Sequence, residues 1–564
     1  MLPVITPLPP WSASHFRFRA SSKGRICGCW FSRTCFMHFI TFTLYFNFSS
    51  RPLNRMALRH LSVKAVLFFG LCQVGRRGFV SAPEVREAPK KIAIIGGGIG
   101  GTAAAFFLRQ EFGPAVKIEV FEAGTVGGRL ATENIGGYEY ETGGSIIHPL
   151  NLHMKHFLDR LGLSPRADVS SKLAIFDGKE LTFEESDWFI VNFMRMLWRY
   201  GFNFIRMHMW VEGIMDKFMR IYQYQQFGYS FSSVEKLLHA MGGDGFLTLV
   251  NQTLEEAMLA EGFSQVFLND VVTPITRVNY GQSVRINGFV GAVALAGADS
   301  GLWAVDGGNK MVCSGLLYHS KAELVPARVT AISMKMRPSK TGSAANFYEV
   351  NYVGESGAAH SMYDIVLVAT PLHQGMSDIN FSGFSPPIPT HFPGRYHQTV
   401  ATLVHGLLNV SYLGTTEKPE NFFFSDVLTV DNKASEIHSL SSLEPVKIPK
   451  GYSQSPASQR KVWKIFSSQP LSEKNLQQIF LSWDLVSEKR WLAYPSYSPP
   501  HRRTPPFILH DRLYYLNAVE WAASAMEISA ISGRNLALLA HHRWYEQTAK
   551  IDQEDLHTRL KGEL

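Results

Sequence analysis

The pattern of apolar and polar positions changes character near residue 90. Ile92 to Ile95 is an unbroken apolar run, the pattern of a strand buried on both faces. Gly96-Gly97-Gly98-Ile99-Gly100-Gly101 follows at once, Thr102 to Glu111 reads as a helix, and Lys117 to Phe121 as a second strand. Later segments return to this alternation. Gly307-Gly308-Asn309 opens a helix to about Tyr318 and leads to a strand from Val325 to Ile332. Asp364 to Ala369 is an apolar strand stopped by Thr370-Pro371. Leu513 to Glu520 is a strand and turn, and Ala525-Met526-Glu527 opens a helix running through Arg534 to Ala540. Strands alternating with helices predict an α/β fold with a parallel sheet. Between these blocks, Trp188 to Tyr224 sets aromatic residues and methionines among Arg195, Arg199, Arg206 and Arg220. It reads as amphipathic helices. Such helices pack on their own core, line an adaptable apolar pocket, or lie on a membrane surface. A polar cluster, Arg277 to Gln282, breaks the apolar pattern and is a candidate to reach a cavity.

Composition then limits the classes. With 564 residues, 46% hydrophobic and 18% charged, the chain builds two or more domains and is not a disordered protein. The formal charge of +8 suggests a nucleic-acid partner until it is located. Residues 1 to 82 hold 11 Lys and Arg and no acidic residue, which leaves 44 basic against 47 acidic in the remainder. The excess is a leader, and nucleic acid is excluded as a partner. Arg59 and Lys64, the apolar run Ala65 to Cys72 and the small residues Val80-Ser81-Ala82 have the layout of a secretory signal over residues 56 to 82. Residues 1 to 55 read as an upstream extension that does not fold. Four of the five cysteines fall in the leader, so no disulfide framework and no cysteine metal site remain. Sequons at Asn251, Asn380 and Asn409 predict glycosylated surface loops.

The chemistry begins at Gly96, Gly98 and Gly101, a GxGxxG with a strand before it and a helix after it. Gly96 allows the tight turn, Gly98 lets a pyrophosphate reach the backbone, and Gly101 lets the helix pack close. Glu122, at the end of the second strand, falls where a carboxylate accepts from an adenosine ribose. Gly127-Gly128-Arg129 brings a second turn and a guanidinium to the pyrophosphate, and Gly143-Gly144 lets the chain run close to a flat ring. This arrangement resembles the flavoproteins that include the amine oxidases. The resemblance implies a Rossmann-type FAD-binding domain with an inserted α+β substrate domain. It places Val329 at the adenine, Glu520 near the ribityl chain and Met526 at a helix start facing the isoalloxazine.

Longer motifs narrow the family. Lys91 through Gly128-Arg129-Leu130-Ala131-Thr132, Gly144 to Asn151, Phe218 to Tyr222, Val278 to Ser283 and Leu513 to Met526 are similar to the prenylcysteine oxidase family from about residue 90 onward. The resemblance implies oxidation of farnesyl- or geranylgeranyl-cysteine by O₂ and water to free cysteine, prenyl aldehyde and H₂O₂, in the lysosome. The flavin domain would comprise residues 90–150, 301–375 and 506–564, and the substrate domain 151–300 and 376–505. FAD is expected to be noncovalent, because no His or Cys marks a linkage. No metal and no obligate protein partner is expected. His148 has two readings, orienting water or substrate, and packing. Gln398 to His405 reads as a strand without the lysine that amine oxidases commonly place near the flavin. An amine oxidase, and a flavin-binding paralogue without turnover, remain as alternatives. Lys561-Gly562-Glu563-Leu564 is similar to an ER-retrieval signal, so ER retention or secretion stands beside the lysosome.

A chain starting near Pro83 and made in a secretory host is expected to fold and bind flavin. Yellow soluble protein checks this, and loss of soluble protein refutes it.

Overall fold

The sheet is built outward from β1 (Lys91–Ile95), whose Ile92, Ala93 and Ile94 have no exposed surface. In this computed structural model the described residues are 86–167, 172–338, 344–432, 437–452, 456–500 and 504–561, and they form one compact unit. The leader, residues 1 to 82, and the last three residues of Lys561–Leu564 lie outside them. β2 (Lys117–Glu122), β3 (Glu323–Pro338), β4 (Ile365–Val368) and β5 (Leu513–Tyr515) run parallel in the order β5-β4-β1-β2-β3. Ile94 pairs with both Val120 and Leu367, and Leu367 with Tyr514. Each fully buried Ile or Val in these strands contributes roughly 2 kcal/mol of burial. Beyond β3 the sheet continues antiparallel through Ala344–Gly354 and Gly357–Tyr363.

Around the sheets lie α1 (Ile99–Phe112), α2 (Leu152–Leu161), α3 (Phe189–Tyr200), α4 (Asn203–Phe218), α5 (Thr273–Tyr280), α6 (Lys310–Ser320), α7 (Met526–Trp544) and shorter helices. α1 is buried almost throughout, because Ala103, Ala104 and Ala105 let α6 and α7 approach it. The Ala525 backbone is extended, so α7 starts only at Met526, and it runs on to Trp544.

A second sheet holds the inserted segments, with the strands Phe480–Pro495, Tyr396–Leu408, Lys461–Ser467, Ile437–Ser442, Asp426–Thr429, Leu173–Phe176 and Leu181–Glu184 in that order. Its members come from both insertions, Asp426–Thr429 pairing in parallel with Leu173–Phe176. One helix departs from the division drawn on the sequence. α2 follows residue 150, yet Phe157 packs its ring on Phe106 and Phe107 of α1 at 5.7 and 5.6 Å. Its apolar stripe is buried on the Rossmann side, which carries the edge of that lobe past residue 151.

Candidate functional site

The sheet order reverses between β1 and β4, and a crevice outside the carboxyl ends of the strands at such a point is where dinucleotides bind. Gly96 leaves β1 at φ +116° and donates its N–H to Phe121 O at 2.8 Å. A Cβ there would lie 2.6 Å from Ala369 O, at the end of β4. A Cβ at Gly101 would overlap the Gly96 carbonyl oxygen. Packing therefore demands both glycines. Gly98 differs, since the nearest atom to a Cβ is Gly127 O at 3.8 Å. No side chain caps α1 there, and its first turn holds no acidic residue. Free N–H groups beside open space suit an anion, so the residues present fit a pyrophosphate. The Glu122 carboxylate accepts from Gly97 N and Gly124 N, each at 2.8 Å, and keeps lone pairs for a ribose. Val329 lies on β3 three residues past Pro326, the partner of Glu122, and so above the same end of the sheet.

The second turn is tied to the first and to the far end of the chain. Gly128 passes close to Gly98, 3.4 Å separating a Cβ there from the Gly98 Cα, and Gly127 bridges Gly98. Arg129 meets the fully buried Glu520 with both terminal nitrogens and donates to Ala493 O at 2.7 Å. Glu520 also accepts from Tyr396 OH and Asn517 Nδ2, each at 2.7 Å. Two residues expected separately at the pyrophosphate and the ribityl chain are thus partners.

At the other end, Gly144 and Met526 come together, a Cβ at Gly144 falling 3.9 Å from the Met526 sulfur. Asn309 holds this turn by donating Nδ2–H to Gly144 O at 2.8 Å, and Glu141 accepts the Asn309 N–H at 2.7 Å. Trp491 of the second sheet closes over the glycine pair, 2.6 Å from a Cβ at Gly143. No side chain caps the N-terminus of α7 beside Met526. A flat ring with acceptors finds glycine backbone, a thioether and open donors here. Glu527 faces the other way, accepting from His153 N at 2.7 Å, Met154 N at 3.0 Å and Tyr222 OH at 2.7 Å. Burial pushes its carboxyl up to about 7 against those three donors.

Other expected residues fall elsewhere. His148 accepts from Leu150 N at 3.1 Å and stands 3.5 Å from Asp299, within a local turn. Arg277 is buried and bound to Asp431 at 3.1 Å, Tyr280 donates to Ser524 O at 2.9 Å, and Gln282 is bonded to Pro495 and Tyr497. This cluster clasps the second sheet to the turn before α7. Ser283, just beyond it, lines a polar cavity of about 400 Å³ with Asp270 and Asp431. The Met and aromatic segment does not form a pocket wall throughout, because its first part presents apolar side chains to solvent: Trp188, Ile190, Met194, Trp198, Phe202 and Met209 are exposed. The sequons sit at element ends rather than in loops, Asn251 closing a helix, Asn380 opening a strand and Asn409 following one. The strand Tyr396–Leu408 indeed carries no lysine, but its neighbour places Lys464 opposite Leu403. Burial pushes that amine down to about 8, Glu141 and Asp426 opposing the shift. Trp491, Asn309 and Lys464 were not legible as site residues, since each is brought in by strand register or helix capping.

A Rossmann crevice with a glycine pair under a second sheet defines a flavoprotein of the amine-oxidase fold. A solved triple mutant of putrescine oxidase has that fold, with a TM-score of 0.51, 15% identity, and coverage of 79% of this chain and 98% of that one. The family model described as an NAD(P)-binding Rossmann-like domain matches residues 94–161, and that described as prenylcysteine lyase matches 183–553. The chain is 52% identical to prenylcysteine oxidase 1 of Bos taurus over 486 residues, 86% of this chain and 95% of that protein. It is 51% identical to prenylcysteine oxidase 1 of Homo sapiens over 512 residues, 91% and 100% respectively. Prenylcysteine oxidase 1-like of Bos taurus is 45% identical over 477 residues, 84% and 95%. The chain belongs to the prenylcysteine lyase family.

Two predictions separate binding from packing. Gly98→Val is expected to give colourless protein that melts with the flavin-stripped wild type, whereas Gly101→Ala should melt below it; absorbance near 450 nm and calorimetry check both. Glu527 binds a proton in the folded state between pH 4.5 and about 7 that the unfolded state does not. Its contribution is therefore full below pH 4.5 and lost as the pH rises through 7. Glu527→Gln should flatten the dependence of melting temperature on pH across that window.

Proposed function

We propose that this chain is an FAD-dependent oxidase of the prenylcysteine thioether, converting prenylcysteine, O₂ and water to cysteine, prenyl aldehyde and H₂O₂. The observation that carries the reading is that the prenylcysteine lyase match spans residues 183–553, which includes most of the inserted segments that cover the flavin crevice. A likeness confined to the Rossmann half would leave the substrate open.

Bound FAD supplies a two-electron acceptor for the allylic C–H beside sulfur and passes the electrons to O₂. The chain's residues hold and exclude. Gly96, Gly98, Gly101, Gly128 and Arg129 would hold the pyrophosphate and Glu122 and Val329 the adenosine, whereas Glu520, buried with its oxygens taken by Arg129, Tyr396 and Asn517, would position the turn at the ribityl end and not bind the ribityl chain itself. Gly144 and Met526 form the bed for the ring, and Trp491 closes it from the second sheet. An apolar lid of this kind keeps water from the reacting carbon until the C–H bond has broken, and positioning replaces a protein nucleophile. Sulfur stabilises the resulting carbon cation, water adds, and the hemithioacetal collapses to thiol and aldehyde. His148 belongs to packing in this reading, because its ring is engaged by Leu150 and Asp299.

The finer points follow the same reading. FAD is held noncovalently: Cys313, the one free cysteine among the described residues, is buried beneath α1, where burial pushes its thiol up. The signal layout, the sequons and the acid-favoured Glu527 support delivery through the secretory pathway to the lysosome.

Under anaerobic conditions farnesylcysteine is expected to bleach the flavin, and its analogue saturated at the first double bond to bind without bleaching. In air, H₂O₂ should appear in step with free thiol. Bleaching by benzylamine alone would assign an amine oxidase, and bleaching by none of the three a binding protein without turnover. Flavin that stays with acid-precipitated protein would refute noncovalent binding.

A further inference from the structure

α3 has a face that the fold does not use. Ile190, Met194 and Trp198 recur at every fourth position of α3, and Phe202 follows in the turn to α4; all are exposed, Trp198 at 94% and Phe202 at 66%. Trp188, at 72%, is exposed just before the start of the helix, and Met209 is exposed on α4. The opposite face is packed, with the Phe193 ring 5.4 Å from Phe204 and Met196, Phe204 and Met207 against the core. The exposed row is thus a second apolar face, not an unfolded edge. Contiguous exposed apolar surface of this kind marks an interaction site.

Charge decides what it meets. From Trp188 to Val211 the chain carries Arg195, Arg199 and Arg206 and no Asp or Glu. Arg199 is paired with Asp270 at 2.8 Å. Arg195 donates to the Glu184 carbonyl at 2.9 Å, and Arg206 to the carbonyls of Glu261 and Gly262. Carbonyls fix both guanidiniums, and the Glu184 carboxylate lies near enough to Arg195 to offset part of its charge. A second copy docked through the same patch would oppose like charges across a two-fold axis. Among the described residues no helix is long and apolar enough to cross a membrane. A short helix with an exposed tryptophan on its apolar face, a second tryptophan just before its start and arginines beside it suits the headgroup boundary of a lipid surface.

We propose that α3 and the start of α4 dock on an anionic phospholipid bilayer, with Ile190, Met194, Trp198 and Phe202 entering the headgroup boundary and Arg195 and Arg206 against the phosphates. Docking stands without the substrate reading; with it, the enzyme is held where an isoprenoid thioether partitions.

The test is co-sedimentation of the purified, flavin-loaded protein with vesicles of phosphatidylcholine, alone or mixed with phosphatidylserine. Binding is expected to the mixed vesicles and to weaken with salt. Trp198→Glu should weaken it about tenfold or more, and Arg195→Glu about fivefold or more. Trp198→Glu should keep flavin absorbance and melting temperature, since its side chain is exposed, and Arg195→Glu should keep flavin absorbance. Bromolipid should quench tryptophan emission in the native protein and less in Trp198→Phe. Absence of binding, or binding indifferent to Trp198→Glu, overturns the proposal. So does a concentration-dependent dimer abolished by Trp198→Glu without vesicle binding, which would assign the face to a second copy. Anaerobic flavin reduction by farnesylcysteine in solution needs no vesicle, so failure of docking and failure of the substrate reading are read separately.

Discussion

The structure turns on the contact between Arg129 and Glu520, side chains 391 positions apart. Glu520 has no exposed surface, and its oxygens are occupied by Arg129, Tyr396 and Asn517. A buried carboxylate stripped of its cation costs about 3 to 5 kcal/mol. The pair therefore does less to add stability than to forbid alternatives: the Gly127-Gly128 turn cannot leave the β5 turn without stranding a charge. Because the two turns enter the crevice from opposite ends of the chain, the pair fixes the width of the cofactor site before any cofactor arrives.

The same turn is where the second sheet is fastened. Tyr396 OH reaches Glu520, Tyr497 OH donates to the Glu520 carbonyl at 2.9 Å, and Arg129 takes Ala493 O. Tyr280 of α5 adds a bond to Ser524 O. Both insertions are thus referenced to the few residues that also meet the flavin end of the crevice. A sheet so anchored holds Trp491 over Gly143 without needing a long interface elsewhere. Lys464 shows the cost of close apposition. Its amine is buried between Glu141 and Asp426 and is pushed down to about 8, a group that the strand carries in from the interior of the second sheet.

How far the sequence discloses this depends on the range of the physics involved. Gly96, Gly101 and the strands beside them were legible because steric demand in a tight turn acts over a few residues. Glu520 and Met526 were legible only through the order of segments, and their partners were not. Nothing local tells that Asn309 will hold Gly144, or that Trp491 will roof Gly143, because the first depends on where the start of α6 docks and the second on the register of a distant strand. Trp188 to Tyr224 failed in another manner. Its first helix, α3, is apolar on two faces, so periodicity announced a helix correctly while leaving open which face is inside. The edge near residue 151 moved for the same reason, since the stripe of α2 is readable but the lobe it buries against is not.

Glu520 and Glu527 lie on either side of the uncapped start of α7, and they are treated in opposite ways. Glu520 meets a guanidinium, so its charge is balanced. Glu527 meets only neutral donors, two N–H groups at the start of α2 and the Tyr222 hydroxyl, and burial there favours the protonated acid. An apolar side chain of the same size would leave the α2 donors without acceptors, and a cation beside it would add a charge to the ring end of the crevice. A carboxyl with a pKa near 7 avoids both: it caps α2 in either state and, in acid, adds no net charge near the flavin. The paired carboxylate ties the cofactor turn to Arg129, and the unbalanced carboxyl makes the neighbouring helix junction firmest in acid.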